Sequence, residues 1–304
     1  MQLLDATELH RRLPMPAAID ALEAGFRTQD PSATPLRSHL ATRTGSLLLM
    51  PAFGEGGVGV KLVTLTPDNP ERHLPFIGAV YVLFDAATQT PEAIIDGAAL
   101  TALRTAAVSG LATRHLANPD SGRLVIFGAG VQARSHLDAM LAVRRIEHVT
   151  VVSRTPQRAQ ALVDVARERV AGADVGDADV VGEADLICTC TTSDTPLFDG
   201  SRLAGGTHIN AVGSYQPAAR ELDTATLLRA RVVVETREAA FAEAGELSIP
   251  IVDGAFDREH VVADLAEVMH GTGVRAAPSD ITVFKSVGLA FEDLIVARAA
   301  VDAA

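Results

Sequence analysis

Arg123-Leu124-Val125-Ile126-Phe127-Gly128-Ala129-Gly130-Val131-Gln132-Ala133 is the stretch on which the reading of this chain turns. Its first five residues carry four apolar side chains in succession, the composition of a parallel strand covered on both faces. Two glycines interrupt the run, and residues 131–143 then show helical spacing. A glycine turn set between a strand and a helix has the context of a pyrophosphate-binding loop. Gly128 permits the tight turn, Gly130 lets backbone amides approach a phosphate, and small Ala133 lets the helix sit close to the strand. The helix N-terminus then offers free N–H groups and a favourable dipole to an anion. Gly128, Ala129, Gly130, Val131 and Gln132 are therefore candidate cofactor contacts, against the alternative of a turn with no ligand.

Downstream, residues 149–152 form a second strand. Thr155-Pro156 then starts a helix with apolar positions Ala159, Leu162, Val163, Ala166 and Val170. Further strands are predicted at 186–191, 208–212 and 231–235. Strands alternating with helices describe an α/β, doubly wound sheet of the Rossmann type over residues 119–288. The end of the second strand selects the coenzyme, because an acid there binds a ribose hydroxyl and an arginine a 2′-phosphate. This chain reads Ser153-Arg154-Thr155 with Arg158 one turn on, which favours NADP(H) over NAD(H). The plainer alternative is that both arginines solvate a helix start.

Upstream the texture differs. A proline-marked helix at 14–27 carries Ile19, Leu22, Ala24 and Phe26. Short β-rich runs at 46–50, 59–66, 77–85 and 92–96, separated by glycine and proline turns, predict an antiparallel sheet. An alanine-rich helix at 98–116 leads through Asn118-Pro119-Asp120-Ser121-Gly122 into the dinucleotide segment. Residues 1–118 are thus expected to form a first domain, with a last helix, apolar on more than one face, packing back onto it over 289–304.

Composition narrows the class. With 38 acidic against 26 basic residues among 304, the net charge of -12 repels a nucleic-acid backbone, and no basic run offsets it. No segment has the roughly 20 apolar residues of a membrane span, and charges interrupt the N-terminus, so a soluble, cytoplasmic protein is expected. Cys188 and Cys190 cannot make a disulfide framework, and the nine histidines show no metal-ligand spacing, so no metal site is expected.

Two cations stand out in apolar surroundings: Lys61 within Val58-Gly59-Val60-Lys61-Leu62-Val63, and Arg104 within Ala102-Leu103-Arg104-Thr105. Buried cations need partners. Internal acids would serve, but no equally placed set is evident for Arg37, Lys61 and Arg104 together, so a small-molecule substrate carrying a carboxylate is the economical partner. At these residues the sequence resembles the ornithine cyclodeaminase/mu-crystallin family. The matching stretches are Leu48-Leu49-Met50-Pro51, Lys61-Leu62-Val63, residues 100–107, the Gly128–Ala133 loop, Ile209-Asn210-Ala211-Val212-Gly213 and residues 282–288. The resemblance implies a homodimer built through the antiparallel-sheet domain and an active site in a cleft beside the Rossmann domain. It also implies that Arg37, Lys61 and Arg104 hold the substrate carboxylate, with Val287 and Gly288 close by. Thr191, Val212, Gly213 and Ser286 would line the nicotinamide side.

One departure bears on the reaction. Cyclodeaminases and alanine dehydrogenases of the family carry an aspartate shortly after Asn-Ala-Val-Gly, whereas this chain has Gly213-Ser214-Tyr215-Gln216-Pro217. Without that carboxylate, deprotonating an amine or activating water lacks its usual base. The variant is similar to the ketimine-reductase branch, which implies NADPH-dependent reduction of a cyclic 2-imino acid such as Δ1-pyrroline-2-carboxylate or Δ1-piperideine-2-carboxylate. Lys61, Tyr215 or water would give the nitrogen its proton, Arg104 and Arg37 would clamp the acid, and loop acids Glu55 and Asp68 are spare candidates. Ornithine cyclodeamination, alanine dehydrogenation and a non-catalytic, crystallin-like NADP(H) binder are the rival readings.

Overall fold

The computed structural model describes residues 1–303. Its first half runs β1 (Gln2–Leu4), α1 (Ala6–Arg12), α2 (Met15–Thr28), β2 (Ser38–Thr42), β3 (Gly45–Gly54), β4 (Gly57–Leu65), β5 (Ile77–Phe84), β6 (Pro91–Asp96) and α3 (Gly97–Leu116). There follow β7 (Arg123–Phe127), α4 (Val131–Val143), β8 (His148–Val152), α5 (Pro156–Arg167), β9 (Gly172–Val175), β10 (Leu186–Thr189) and β11 (His208–Ala211). The chain continues through α6 (Thr224–Arg229), β12 (Ala230–Val234), α7 (Arg237–Glu243), α8 (Gly245–Val252), β13 (Val261–Asp264), α9 (Leu265–Met269), β14 (Ile281–Lys285) and α10 (Ala290–Asp302). Residues Met1–Ala107 with the chain from Leu289 onward form one compact unit, and Val108–Gly288 a second, the change falling inside α3.

In the first unit the strand order is β1-β6-β5-β4-β3-β2. Strands β2 to β6 are antiparallel neighbours, as the β-rich runs between glycine and proline turns predict for β3 to β6; β2, exposed at every residue, is additional, and β1 adds parallel to β6 and makes the sheet mixed. Three residues are too few for β1 to show a period. Along β3, β4 and β5 the pleat sends Leu48, Met50, Val63, Tyr81 and Leu83 to a buried face and leaves Leu47, Leu49, Val60, Leu62, Val80 and Val82 half-buried on the other. Helix α10 packs against β3, β4 and α2, with Phe26 and Phe291 edge to face at 5.1 Å between ring centres. Helix α2 buries Ala18, Ile19, Leu22, Gly25 and Phe26, whereas Ala24, expected on its apolar side, is exposed.

The second unit is an eight-stranded, wholly parallel sheet of order β13-β12-β14-β11-β10-β7-β8-β9, the doubly wound arrangement expected. The central strands β10, β11 and β14 are buried at every residue, which is why their sequences are apolar runs rather than alternations. Strands β9, β13 and β14 go beyond the sequence expectation: the edges β9 and β13 need less apolar cover, as Gly172-Ala173-Asp174-Val175 shows, while central β14 lies largely in the 282–288 stretch, to which that expectation assigns no element. Helix α5 ends at Arg167, so Val170, expected on its apolar stripe, lies beyond it. Successive strands leave β7 in opposite directions, so the topological switch point lies between β7 and β10. Ligands of such sheets bind beyond the carboxyl ends of the strands at that point.

Candidate active site

The loop after β7 has the backbone that a dinucleotide requires. Gly128 takes φ +106°, and a Cβ there would run into the backbone oxygen of Cys190 at the end of β10. Only glycine satisfies both conditions cheaply. Gly130 is the N-cap of α4, with no side-chain cap, and a Cβ built on it meets nothing within 4 Å. The exposed Gly130 and Val131 thus front an open space at a helix N-terminus, while Ala133 is fully buried against the sheet. These residues fit a bound pyrophosphate. Ala129 and Gln132 are half-buried beside them.

At the end of β8, Arg154, Thr155 and Arg158 are exposed, and neither arginine forms an ion pair among the described residues. Ser153 Oγ accepts the Thr155 amide at 3.2 Å. Thr155 caps α5 by position alone, without a side-chain bond to the helix. Two guanidinium groups are therefore open to an anion on the β8 side of the glycine loop.

On its other side, across β10 and β11, a buried carboxylate organises the residues singled out in the sequence. Glu221 accepts Thr189 Oγ1 at 2.6 Å, Thr191 N at 2.8 Å, Thr191 Oγ1 at 2.6 Å and Gly213 N at 2.8 Å. Burial pushes its carboxyl above the usual range, while the threonine hydroxyls and Lys285 oppose that shift. A second buried acid, Glu235 after β12, accepts Ser286 Oγ at 2.5 Å, Val287 N at 3.0 Å and Gly288 N at 2.8 Å. Between them, Lys285 pairs with Glu246 at 3.1 Å and donates to Ser214 O at 2.6 Å, and Glu246 accepts the Glu221 amide at 2.9 Å. Thr191, Gly213, Ser286, Val287 and Gly288 are thus held by two acids that sequence reasoning missed. Val212 N bonds Thr189 O at 3.2 Å, and Tyr215 is half-buried in the loop after β11.

The cations of the first unit require a correction. Internal acids do exist: Lys61 Nζ lies 2.8 and 2.7 Å from the two Asp293 oxygens, and Arg104 bonds Glu292 at 2.8 Å and Asp293 at 3.1 Å. Lys61 is 1% exposed, Arg104 5%, and both acids 0%. The signal was legible, since Glu292-Asp293 interrupts the apolar run of the last helix. Half-buried Arg37 is near enough to this cluster to act on Lys61. Burial pulls the Lys61 ammonium down to about 8; Asp293 resists, and Arg104 and Arg37 add to the fall. Tyr81, opposite Lys61 on β5, has a buried hydroxyl without a hydrogen-bond partner, and burial raises its pKa. Glu55 and Asp68 are exposed in turns. Among the described residues no cluster of His, Cys, Asp or Glu could hold a metal ion, and no helix is long and apolar enough to cross a membrane.

A doubly wound dinucleotide sheet and a mixed-sheet unit with buried cations define a class of protein that the comparisons identify: the chain belongs to the ornithine cyclodeaminase/mu-crystallin family, whose sequence profile matches residues 1–304. Within that family it is 37% identical over 309 aligned positions to a Delta(1)-pyrroline-2-carboxylate reductase of Bacillus cereus, covering 98% of this chain and 95% of the relative. Among solved structures it resembles the Delta(1)-pyrroline-2-carboxylate reductase of Thermococcus litoralis in complex with NADH and L-proline. That match has a TM-score of 0.93 and 35% identity over 100% of this chain and 97% of the other. An archaeal alanine dehydrogenase dimer with bound NAD gives TM-score 0.93 at 31% identity, covering 100% and 95%.

Proposed function

We propose that this protein reduces a cyclic 2-imino acid, Δ1-pyrroline-2-carboxylate or Δ1-piperideine-2-carboxylate, to the L-imino acid, with NADPH preferred over NADH. The observation that carries reduction over deamination is the state of the loop after β11. Residues 213–217 hold no carboxylate, and Glu221, the first acid after them, is buried and already accepts four donors. It is not available as a base for an amine or a water. The reductases among the relatives support the same direction.

In this reading Arg37, Lys61 and Arg104 hold the substrate carboxylate, and Glu292 and Asp293 fix the last two so that little freedom is lost on binding. Bound coenzyme supplies a hydride to the imine carbon, and the nitrogen takes a proton. Lys61 is suited to give it, because its ammonium titrates near working pH and Asp293 holds it in one orientation. Gly128 to Gln132 seat the pyrophosphate, and exposed Arg154 and Arg158 meet the 2′-phosphate. A second copy of the chain covers the half-buried row Leu47, Leu49, Val60, Leu62, Val80 and Val82, a reading supported by the alanine dehydrogenase dimer. Two free cysteines suit a reducing, cytoplasmic setting.

The test is a coenzyme and substrate panel with the purified protein. Both cyclic imines should be turned over with NADPH, and L-ornithine and L-alanine should be inert with NAD(P)+. Ammonia and proline from ornithine, with inert imines, would overturn the reading, and tight NADPH binding without any turnover would favour the crystallin-like one. Arg154→Ala should raise KM for NADPH about tenfold, the value of one solvent-facing charge-assisted contact, and leave NADH unchanged.

A further inference from the structure

Glu221 and Glu235 are fully buried acids that form no ion pair among the described residues. The nearest cation of their network, Lys285, is matched by Glu246. Their seven hydrogen bonds come instead from N–H and O–H donors of the segments after β10, β11 and β14. Four amides among those donors can only donate, and at Glu221 the Thr191 amide opposes the rise that burial causes. Buried anions without a counterion are costly, so a cationic ligand at this end of the sheet would be stabilised.

The sheet order says which part of a dinucleotide that is. The pyrophosphate loop follows β7, and the open arginines lie beyond β8 on one side. The other half of the molecule must therefore extend over β10 and β11. The residues there are close-packed: Gly128 abuts Cys190 O, and a Cβ on Gly213 would run into Thr191 O and the Glu221 carboxylate. Glu221 thus lies directly behind the backbone on which a nicotinamide would rest.

We infer that Glu221, seconded by Glu235, is a positioning residue whose fixed negative charge stabilises the oxidised, cationic nicotinamide relative to the reduced, neutral ring. When a hydride, one proton with two electrons, leaves the ring for the imine carbon, the ring gains one positive charge. A carboxylate behind it lowers the energy of that product and makes the bound coenzyme a stronger hydride donor. The inference rests on the proposed nicotinamide chemistry and adds the source of its driving force.

Dissociation constants for NADP+, NADPH, NAD+ and NADH, measured by calorimetry and coenzyme fluorescence, test it without turnover. Glu221→Gln keeps the shape and removes the charge. It should weaken the oxidised coenzyme relative to the reduced one by roughly tenfold, the effect of one unit charge at about 8–10 Å in a partly shielded interior. Thr189→Val removes one donor to Glu221 and no charge, so it should move both affinities by the same factor. Equal losses in Glu221→Gln would reduce the residue to a scaffold and overturn the inference. If that variant does not fold, Glu235→Gln must shift the ratio in the same direction. In the unaltered protein the oxidised coenzyme should bind at least as tightly as the reduced one, and a reduced form bound many times more tightly would also overturn it. Failure of the unaltered protein to bind any dinucleotide would instead remove the proposed function itself.

Discussion

Replacing Asp293 by asparagine should destabilise the protein by an amount that depends on pH. Asp293 serves two cations, Lys61 through both oxygens and Arg104 through one. The two respond differently to its loss. Arg104 cannot shed its proton, but it keeps Glu292 at 2.8 Å, so it loses one charge-assisted bond, worth about 2 kcal/mol. Lys61 can escape by becoming neutral. Its ammonium titrates at about 8 in the folded protein, so at pH 7 the neutral form lies one pH unit, about 1.4 kcal/mol, above the charged form. That difference is the most the Lys61 side can cost. The total should be roughly 3–4 kcal/mol at pH 7. By pH 9.5 Lys61 is already neutral in the unaltered protein, so only the Arg104 share, about 2 kcal/mol, should remain. Urea unfolding of both proteins at the two pH values reads this directly. A loss equal at both pH values, or below about 1 kcal/mol at pH 7, would falsify the assignment of Asp293 as the partner that keeps Lys61 charged. The same variant should move the alkaline fall of kcat/KM, expected near 8 in the unaltered protein, to lower pH.

Glycine substitutions separate folding from binding in the loop after β7. Gly128→Ala, with φ +106° and a backbone oxygen in the way, should lower stability by about 2 kcal/mol or more and abolish dinucleotide binding, as melting and coenzyme fluorescence would record. Gly130→Ala, with open space before it, should melt as the unaltered protein does while losing dinucleotide affinity tenfold or more; unchanged affinity would mean that no phosphate approaches that amide. In acid, His136 and His208 should dominate the loss of stability between about pH 6.5 and 4. Burial lowers His136 to about 4 and His208 to about 3, so over this window the unfolded chain takes up protons that the folded one refuses. Stability then falls with pH by about 1.4 kcal/mol per unit for each histidine. His136→Gln should flatten that slope in unfolding curves, and an unaltered slope would count against its neutral burial.

Much of this fold is local and was therefore legible. The β7 run, the two glycines and the helix after them specify one another over eleven residues, because strand, turn and helix each have a short-range signature. Lys61 and Arg104 were conspicuous for the same reason, as charges in apolar runs. Their partners were harder to see: Asp293 is 232 residues from Lys61 and 189 from Arg104, and no spacing rule reaches that far. Glu221 and Glu235 were invisible, since a lone acid in a loop looks the same whether it faces water or accepts three or four buried donors.

Taken alone, the amino-acid sequence determined the two architectures, the glycine turn between β7 and α4 and the family resemblance, because periodicity and turn chemistry act between near neighbours. Tertiary structure alone decided which charges pair directly and which do not: Glu292 and Asp293 meet Lys61 and Arg104, while Glu221 and Glu235 form no ion pair among the described residues. Electrostatic pairing depends on distance through space and on the exclusion of water, and neither is set until the chain has folded.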